Sequence, residues 1–497
     1  MKLITKEEMK RIDNNTCKKV GSYNLVKIVG TKMANIILKK YNPKKVLLVL
    51  GSGGNASDAF VIGNILNDNN VLTYAYLNYE LKNVDAIKLK EEYKGLYTTN
   101  IDNLQEFDLI VDAIYGIGLN RELDSKTIDL INKLNDSNKP IVSLDIPSGI
   151  DALSGISYGA FIKADLTITI EYIKTGMYLQ DGLDSTNKIK VIKVGMDKTN
   201  NLIELVELKD FKDIYPKRNR NSNKGNYHKS SLIAGSIDYL GASLISYNAL
   251  LSFKMGLGYE SLYVPKSCYS IYQLRHPELI VKTINDKEGY IDFDSNTLDT
   301  IIKNSNSIAI GMGLGISIEV YKTIEYLLKN FNGKLLIDAD GLNTLSKYGI
   351  DILKNKKCDV ILTPHIKEFE QLTNIKKEEI IKNPIDYALD FAKKYNITLM
   401  LKSASTIITN GYDIAINHSG NSSLAKAGSG DALSGITAGL LAYIDKDSYT
   451  IAKMSSFILG TSAEYASIKT VEECITIEDI IKYVPKVIKS IKELNKN

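Results

Sequence analysis

The stretch from Asn417 to Gly435 reads NHSGNSSLAKAGSGDALSG, and the apolar run ITAGLLA follows it directly. Gly428, Gly430 and Gly435 surround a single acid, Asp431. Glycines before a helix allow close backbone approach, and the first helical turn offers unpaired N–H groups and partial positive charge. This combination favours a bound phosphate, beside which Asp431 could take a proton from a substrate group. A glycine-rich turn in which Asp431 only caps the helix would look similar.

Short apolar runs alternate with helix-length polar segments on the N-terminal side of this loop. The runs are SLIAG (231–235), SLYV (261–264), SIAIG (307–311), KLLIDAD (334–340), DVILT (359–363) and TLMLK (398–402). Continuous apolar strands that alternate with helices predict a parallel sheet covered on both faces. Ligands bind beyond the carboxyl ends of such strands. The residues there are Gly235–Ser236, Gly311–Gly315, Asp338–Asp340, Thr363–His365 and Lys402.

The first half of the chain repeats this alternation. After helical material through Lys40 come KVLLVL (45–50), VLTYAYL (71–77), DLIVDAI (108–114), PIVSLDI (140–146) and ADLTITI (164–170). A polar, basic stretch, KDIYPKRNRNSNKG (212–225), separates the two halves. We therefore predict two α/β domains, residues 1–213 and 214–497.

The composition excludes several classes of protein. A hydrophobic content of 44%, a charged content of 24% and a net charge of +4 over 497 residues are typical of a soluble globular protein and give no support for nucleic acid as a partner. The four cysteines and four histidines are dispersed, which argues against a disulfide framework or a zinc site. The N-terminus is charged too early for a signal peptide and no run of about 18 apolar residues occurs, so we expect a cytoplasmic protein without a membrane span.

The second half resembles the ADP/ATP-dependent NAD(P)H-hydrate dehydratase family, which has a ribokinase-like fold. The matching segments follow one another along nearly the whole domain. They are KGNYHKSSLIAGS (224–236), GA (241–242), HPE (276–278), IGMGLG (310–315), DADGLN (338–343), LTPHIKEFEQL (362–372), LKSAST (401–406) and GNSSLAKAGSGDALSG (420–435).

The resemblance implies removal of water from the 6S form of hydrated NADH or NADPH (NADHX or NADPHX), driven by phosphoryl transfer from ADP or ATP. Asp431 would deprotonate the 6-hydroxyl group for attack on the terminal phosphate, and Gly430 would hold the developing charge. By position, Ala242, Gly313, His365 and Asp431 would contact the hydrate, and Lys402, Ser403, Ala404, Ser405, Thr406 and Gly430 the nucleotide. Mg²⁺ is expected with the phosphates, without an assigned ligand.

The chain departs from the family pattern at four positions of this half. Ile366 and Lys367 replace Pro and Gly, and Ser403 and Ala427 each replace Gly. No charged or catalytic group is lost, so the departures concern loop conformation.

Three loops of the first half carry a second resemblance. They are GSGGNASD (51–58), VDAIYGIGL (111–119) and LDIPSGID (144–151), each after an apolar run. Over roughly residues 1–210 the chain resembles NAD(P)H-hydrate epimerase, which has a Rossmann-like three-layer sheet and interconverts the 6R and 6S hydrates.

The resemblance implies a K⁺ site at Asn55, Asp112 and Ser148, whose oxygen atoms suit a hard ion and not zinc. Asp145 would handle a proton during reversible ring opening or water exchange, with Lys174 as a helper. The residues expected to hold the hydrate are Gly54, Asn55, Ala56, Ser57, Asp58, Gly116, Ile117, Gly118, Leu119, Asn120, Arg121, Glu122 and Asp145.

The family loop GxGNNGGDG reads GSGGNASDA here, so Gly54 replaces Asn while Ala56, Ser57 and Ala59 replace glycines. Side chains at such positions narrow a site or forbid a positive φ. Two interpretations follow, an epimerase or a scaffold without activity.

We predict a bifunctional repair enzyme, and expect a homo-oligomer. The sequence does not decide between ADP and ATP as the phosphoryl donor, although the resemblance favours ADP. It also does not decide between NADHX and NADPHX as the preferred hydrate. The rival hypotheses are a kinase of the hydroxymethylpyrimidine or hydroxyethylthiazole type, which would release a stable phosphorylated product, and a nucleotide-binding sensor.

Overall fold

A computed structural model describes residues 2–251, 255–273 and 278–494 of the chain. His276 and Pro277 of the HPE segment lie outside the described residues. The chain divides into two compact units after Glu204, which is earlier than the position between residues 213 and 214 suggested by the polar stretch. The reason is packing, because Val206 and Phe211 are buried in the core of the second unit.

The N-terminal unit is built on a parallel sheet. Its strands are β1 Lys2–Ile4, β2 Lys45–Leu50, β3 Leu72–Leu77, β4 Leu96–Tyr97, β5 Leu109–Ala113, β6 Ile141–Leu144, β7 Leu166–Ile170, β8 Ile173–Lys174, β9 Ile189–Ile192 and β10 Ile203–Leu205, which ends at the boundary. Seven of them form the sheet in the order β4-β3-β2-β5-β6-β7-β9. Strand β1 pairs antiparallel with β10 and parallel with β8. The helices are α1 Lys6–Val20, α2 Ser22–Tyr41, α3 Gly54–Asp68, α4 Val84–Glu91 and α5 Ser125–Asp136.

Strand β2 explains why this unit has three layers. Val46, Leu48 and Leu50 pack in a core with residues of α1, α2 and α3, whereas Leu47 and Val49 pack in a second core with residues of α5. Alternate side chains of a strand point to opposite faces, so a fully apolar strand requires helices on both sides. The predicted Rossmann-like three-layer fold is confirmed.

The C-terminal unit continues with strands β11 Lys229–Ile233, β12 Tyr259–Pro265, β13 Val281–Ile284, β14 Asp286–Lys287, β15 Tyr290–Ile291, β16 Ser307–Ile310, β17 Lys334–Ile337, β18 Asp359–Leu362, β19 Thr398–Leu401, β20 Thr406–Thr409 and β21 Ile414–Asn417. The sheet order is β13-β12-β11-β16-β17-β18-β19-β20-β21. Pairing is parallel from β13 to β19, and antiparallel from β19 to β21. Strands β14 and β15 form a separate hairpin. Every apolar run singled out in the sequence forms a strand, while β20 and β21 were not predicted.

The helices of the C-terminal unit are α6 Leu240–Leu250, α7 Tyr269–Gln273, α8 Ser295–Lys303, α9 Ile318–Asn330, α10 Asp340–Tyr348, α11 Ile366–Thr373, α12 Lys377–Lys382, α13 Pro384–Tyr395, α14 Ser429–Tyr443, α15 Ser448–Ser467 and α16 Ile477–Glu493. Helix α14 packs across the central strands β11, β16 and β17. Among the residues that the structure describes, none of the helices combines the length and apolar character needed to span a membrane.

The strand orders locate a ligand crevice in each unit. In the N-terminal sheet, β2 continues to β3 on one side, and the chain then returns to place β5 on the other side. In the C-terminal sheet, β11 stands in the same relation to β12 and β16. Loops diverge at such switch points and leave a crevice beyond the carboxyl ends of the two strands.

Candidate active sites

Two of the predicted hydrate contacts meet at the switch point of the C-terminal sheet. The loops after β11 and β16 are joined by a hydrogen bond from Gly235 N to Met312 O of 2.9 Å. Gly313 has a φ of +68°, and a Cβ atom there would lie 2.7 Å from Tyr239 Cβ and 3.1 Å from Ala242 Cβ. Glycine is required at 313 on both counts. Ala242 and Gly313 are therefore neighbours.

A buried ion pair lies under the glycine loop that opens α14. Lys402 Nζ is 3.0 Å from Asp338 Oδ1, and Ser434 Oγ donates to Asp338 Oδ2 at 2.6 Å. Burial is the largest effect on both partners and opposes their ionisation. The ion pair, together with the Ser434 hydrogen bond to Asp338 and the charges of Glu368 and Asp431 near Lys402, outweighs it, so the pKa of Asp338 is lowered and the pKa of Lys402 is raised. A Cβ at Gly430 would lie 3.4 Å from Lys402 Nζ, which places the ammonium group directly beside the start of the helix.

Asp431 occupies the first turn of α14, after Gly428 with its φ of +95°. The backbone N–H groups of Gly430 and Asp431 find no backbone acceptor within the described part of the chain, as expected at a helix start. Burial, and then the charge of Asp338, raise the pKa of Asp431 to about 7, although Lys402 opposes the shift. A carboxyl group with this pKa can accept a proton near neutral pH.

His365 lies beside Lys402 and is the N-cap of α11. Its Nδ1 accepts from Glu368 N at 3.1 Å, while Glu368 Oε2 accepts from His365 N at 2.8 Å. The backbone of His365 pairs with that of Lys402 in an isolated parallel bridge. Burial and the charge of Lys402 lower the pKa of His365, so the imidazole is neutral at pH 7. Burial raises the pKa of Glu368 to about 7.

Apart from Gly430 in α14, the residues predicted to bind nucleotide, 402–406, run from the end of β19 into β20. Ser403 and Ala404 are exposed, whereas Ser405 is 1% exposed, and its Oγ has no partner among the described residues. Ser236 Oγ, after β11, is also buried without a partner in that part of the chain. Buried hydroxyl groups are rarely left unsatisfied, and these two lie at strand ends where a ligand could contact them.

The departures from the family pattern do not distort the loops. Ile366, Lys367, Ser403 and Ala427 are absent from the non-glycine residues of positive φ in the described chain, so each accommodates its side chain. Ala339 is different, because it lies between two acids with a φ of +49°. Such a backbone costs on the order of 1–3 kcal/mol, and here it turns the chain between Asp338 and the first residue of α10.

The N-terminal unit contains a cavity of about 460 Å³ beyond the carboxyl ends of β2 and β5. Of the residues predicted to hold the hydrate, it is lined by Gly54, Asn55, Ser57, Asp58, Gly116, Ile117, Gly118, Leu119, Asn120, Arg121 and Asp145. Ala56 is buried and Glu122 is exposed, and neither lines the cavity. The other wall, which the sequence did not indicate, comes from α1 and α2.

The altered glycine loop is part of a helix. Gly54, Ala56, Ser57 and Ala59 all belong to α3, and none of them has a positive φ. The concern that side chains would forbid the required backbone therefore does not apply, since helical dihedral angles suit any L-residue. Ser57 also contributes a contact, a hydrogen bond of 3.0 Å to Asn83 Oδ1.

Asp145 and Lys174 form a buried ion pair at one end of this cavity. Lys174 is fully buried, and its Nζ also donates to Thr169 Oγ1 at 2.9 Å. Asp145 Oδ1 accepts from Ile170 N at 2.9 Å, and its backbone has a φ of +68°. A strained backbone at a cavity-lining acid favours a functional role, because the surrounding contacts must hold it in place.

The predicted K⁺ ligands are also brought together. Asp112 is fully buried and accepts from Ser148 Oγ at 2.5 Å, and Asn55 Nδ2 donates to Tyr115 O at 3.1 Å and Leu144 O at 2.9 Å. Burial raises the pKa of Asp112, although hydrogen bonds from Ser148, Ser143 and the backbone of Ile114 oppose the shift. A buried carboxyl group among amide, hydroxyl and carbonyl oxygens fits a hard monovalent cation. No group of three or more His, Cys, Asp or Glu residues in the described ranges could hold a metal ion.

Three residues of these sites carried little signal in the sequence. Asp338 was visible as a strand end and within the matching DADGLN segment, with no role assigned to it, and its burial beneath α14 depends on the fold. Ser434 lies one turn after Gly430, on the face of α14 turned to Asp338. Asp13 is one acid in a highly charged helix, and only the cavity distinguishes it.

Fold and site geometry define the C-terminal unit as a ribokinase-like α/β enzyme. Residues 230–486 match the family model described as NAD(P)H-hydrate dehydratase, which is more than half of the 497 residues. Residues 22–176 match the model described as YjeF-related protein N-terminus. The chain belongs to the NAD(P)H-hydrate dehydratase family.

Relatives match the chain along its length. The bifunctional NAD(P)H-hydrate repair enzyme of Dictyoglomus turgidum is 28% identical, over 98% of this chain and 98% of that protein. The enzyme of the same name from Thermofilum pendens is 28% identical, over 99% and 97%. A crystal structure of the ADP/ATP-dependent NAD(P)H-hydrate dehydratase from Bacillus subtilis, co-crystallised with ATP and Mg²⁺, is 24% identical with a TM-score of 0.50, and covers 59% of this chain and 100% of that one. At this identity the likeness concerns the fold alone.

Proposed function

We propose that the C-terminal unit dehydrates the 6S hydrate of NADH or NADPH, using ADP or ATP as the phosphoryl donor. The observation that carries this proposal is Asp431, a carboxyl group with a pKa of about 7 at a glycine-rich helix start beside Lys402. Asp431 takes the proton of the 6-hydroxyl group while the oxygen of that hydroxyl group attacks the terminal phosphate of the nucleotide. Phosphate then leaves from C6, the ring loses a further proton, and the dihydropyridine is restored.

Other residues of this site bind and orient the two substrates. The N–H groups at the start of α14 and Lys402 stabilise the charge that develops on the transferred phosphoryl group. Ala242, Gly313 and His365 hold the hydrate, and the turn from Lys402 to Thr406 holds the nucleotide. Mg²⁺, where present, would neutralise charge on the nucleotide phosphates, and no residue is assigned as its ligand.

The N-terminal unit, in this proposal, interconverts the 6R and 6S hydrates, so that both forms reach the dehydratase. Its support is the cavity with the Asp145–Lys174 pair at one end. Asn55, Asp112 and Ser148 would hold K⁺, which supplies positive charge close to the bound hydrate. The undistorted geometry of α3 favours an active epimerase over a scaffold.

The kinase hypothesis differs in its product, and the family match favours the dehydratase. A kinase would leave the phosphate on its substrate, whereas the dehydratase releases it. We also propose that the enzyme works in the cytoplasm, because its cysteines are free and suit a reducing compartment. A homo-oligomeric state and a domain boundary between residues 213 and 214 stay predictions; sedimentation and the folding of separately expressed halves would test them.

The experiment is incubation of the purified protein with mixed 6R and 6S NADHX and ADP, with and without K⁺. We expect dihydronicotinamide absorbance to return for both hydrates, with one free phosphate per NADH. Return of the 6S portion alone would mean that the N-terminal unit is inactive. A stable phosphorylated product, without a return of dihydronicotinamide absorbance, would show that the C-terminal unit is a kinase and not a dehydratase. A parallel reaction with ATP decides the preferred donor.

A further inference from the structure

Helix α1 forms a wall of the N-terminal cavity through a single stripe of residues. Met9, Asp13 and Cys17 are spaced at i, i+4 and i+8, and all three line the cavity. Side chains four apart lie on the same face of a helix, so the stripe turns one carboxyl group, between two sulfur-containing side chains, into the cavity. The helix precedes residue 22, where the match to the N-terminal family model begins.

Asp13 has no counter-ion. Cys17 Sγ donates a weak hydrogen bond to Asp13 Oδ1 at 4.0 Å, and Asp13 forms no ion pair within the described ranges. Lys174 is already paired with Asp145. Burial and the charge of Asp145 raise the pKa of Asp13, against a smaller opposing effect of Lys174.

A third acid lines the same cavity. Asp58 in α3 is 7% exposed, and its side chain makes no hydrogen bond or ion pair with any residue that the structure describes. Burial, then the charges of Asp145 and Asp13, raise its pKa well above the usual range. The cavity is also lined by Cys17, Asp85 and Arg121, and Lys174 lies behind Asp145. Four carboxyl groups therefore share one cavity: Asp145, which is ion-paired, Asp85, which accepts a hydrogen bond from Ser22 Oγ, and Asp13 and Asp58, which form no ion pair within the described residues.

We propose that Asp13 is the second catalytic group of the N-terminal unit, a general acid that acts opposite the ion-paired base Asp145. The proposal rests on the epimerase function proposed above, and it assigns a residue outside the loops that carry the resemblance. Asp13 is half-buried at the cavity wall and so is accessible to a ligand, whereas Asp58 is nearly enclosed.

The reaction needs both an acid and a base, and its atoms balance without a further reactant. Asp145 takes the proton of the 6-hydroxyl group while the C6–N1 bond breaks and C6 becomes an aldehyde carbon. The electron pair of that bond passes to N1, which receives a proton from Asp13. After rotation about the C5–C6 bond, the reverse steps close the ring on the other face of C6 and return both protons. No oxidation or reduction occurs.

The test compares the full chain with its Asp13→Asn variant. Each protein is incubated with purified 6R NADHX in the absence of nucleotide, and chromatography measures the rate at which the 6S form appears. We expect Asp13→Asn to lower the rate at least about 100-fold, as loss of a general acid does. Glu7→Gln is the matched control, because it removes one negative charge from an exposed position of the same helix. It should convert 6R at the wild-type rate.

The pH profile separates catalysis from a structural effect. Because an acid must be protonated to act, the wild-type rate should fall with rising pH above the pKa of Asp13, and the residual rate of Asp13→Asn should lack that decline. Asp13→Glu should keep a decline at a changed position. If Asp13→Asn unfolds, the pH profile of Asp13→Glu decides the question. A rate that declines at the same pH as in the wild-type protein would overturn the proposal.

The outcomes also separate this proposal from the function on which it rests. No conversion of 6R by the wild-type protein, with K⁺ present, would refute the epimerase function itself. Wild-type conversion with Asp13→Asn within about threefold of it would refute only the role of Asp13. Dehydration of 6S NADHX by the same preparation reports on the C-terminal unit in every case.

Discussion

Lys402 Nζ lies 3.0 Å from Asp338 Oδ1, and the side chain of Asp338 is only 2% exposed. The pair joins the end of β19 to the end of β17, and Ser434 ties the same carboxylate to α14. Asp431 lies within the field of both charges, since Asp338 raises its pKa and Lys402 lowers it. The affinity of Asp431, the proposed base, for a proton therefore depends on one buried ion pair.

Replacement of Asp431 by Asn should abolish dehydration while nucleotide binding persists. Loss of a general base lowers the rate by about 10²–10⁴-fold, and the amide keeps the size of the side chain. Absorbance recovery on 6S NADHX measures the rate, and calorimetry measures ADP affinity. Asp445→Asn, an exposed change two residues beyond the end of α14, is the control. A variant with more than a tenth of the wild-type rate would exclude Asp431 as the base.

The dehydratase should lose activity in acid through the titration of Asp431. The group must be ionised to accept a proton, and its pKa is raised to about 7, so the rate should rise with pH and level off above that value. At pH 5 about one site in a hundred would be ionised, which predicts a roughly 100-fold lower kcat/KM. Glu368 also has a pKa raised to about 7, so Glu368→Gln must be measured beside the wild type. We expect the activity of that variant to fall at low pH as the wild-type activity does, a decline that we call the acid limb. If the variant lacked the acid limb, the titrating group would be Glu368 and not Asp431.

Neutralising Asp338 should move that acid limb to lower pH. Asp338→Asn removes a negative charge that raises the pKa of Asp431 and frees Lys402, whose charge lowers it. Both effects have the same sign. Ser434→Ala keeps the charge and should leave the midpoint in place. Breaking a buried pair costs about 3–5 kcal/mol, so thermal unfolding must first establish that the variant is folded. A midpoint that stays put, or moves upward, would contradict this electrostatic coupling.

Asp145→Asn should stop epimerisation and leave dehydration of the 6S hydrate intact. The amide can still accept the hydrogen bond from Ile170 N, but it cannot take a proton. We expect a rate at least about 100-fold lower on 6R NADHX. Asp181→Asn, in the same unit and outside the cavity, serves as comparison. Equal rates for Asp145→Asn and wild type would remove Asp145 from the mechanism.

Removal of K⁺ should slow the N-terminal reaction and not the C-terminal one. Asp112→Asn should make the epimerase insensitive to K⁺, because it removes the one charged ligand of the proposed set, which is completely buried. The titration uses KCl against choline chloride at constant ionic strength, on 6R and 6S NADHX separately. A dehydratase that responds to K⁺ as strongly as the epimerase would place the ion elsewhere.

Much of the fold was predictable because buried parallel strands are continuously apolar. The runs at 45–50 and 398–402, for example, could only be strands covered on both faces. The antiparallel strands β20 and β21 were missed, since their segments TIIT and IAIN are only four residues long and lack the period-2 alternation of a half-buried strand. The glycine loop of α14 was predictable for a different reason, because its composition has a direct physical meaning.

Features that depend on tertiary contacts could not be predicted. The sequence GSGGNASDA suggested a constrained loop at Ala56, whereas the chain begins a helix there, and this removed the expected strain. The burial of Asp338 and the positive φ of Ala339 arise where β17 ends beneath α14. No local pattern distinguishes them, because any strand-end acid looks the same in the sequence.

The cavity of the N-terminal unit obtains part of its wall from the first twenty residues of the chain, through Met9, Asp13 and Cys17. A protein trimmed to the family match, which begins at residue 22, would keep every loop of the resemblance and still lose that wall. Its chamber would open into a groove, and in the proposed mechanism water would reach the aldehyde that ring opening forms. Such a trimmed protein would retain ligand contacts yet release its intermediate, so the shortest recognisable version of this domain is not its shortest working version.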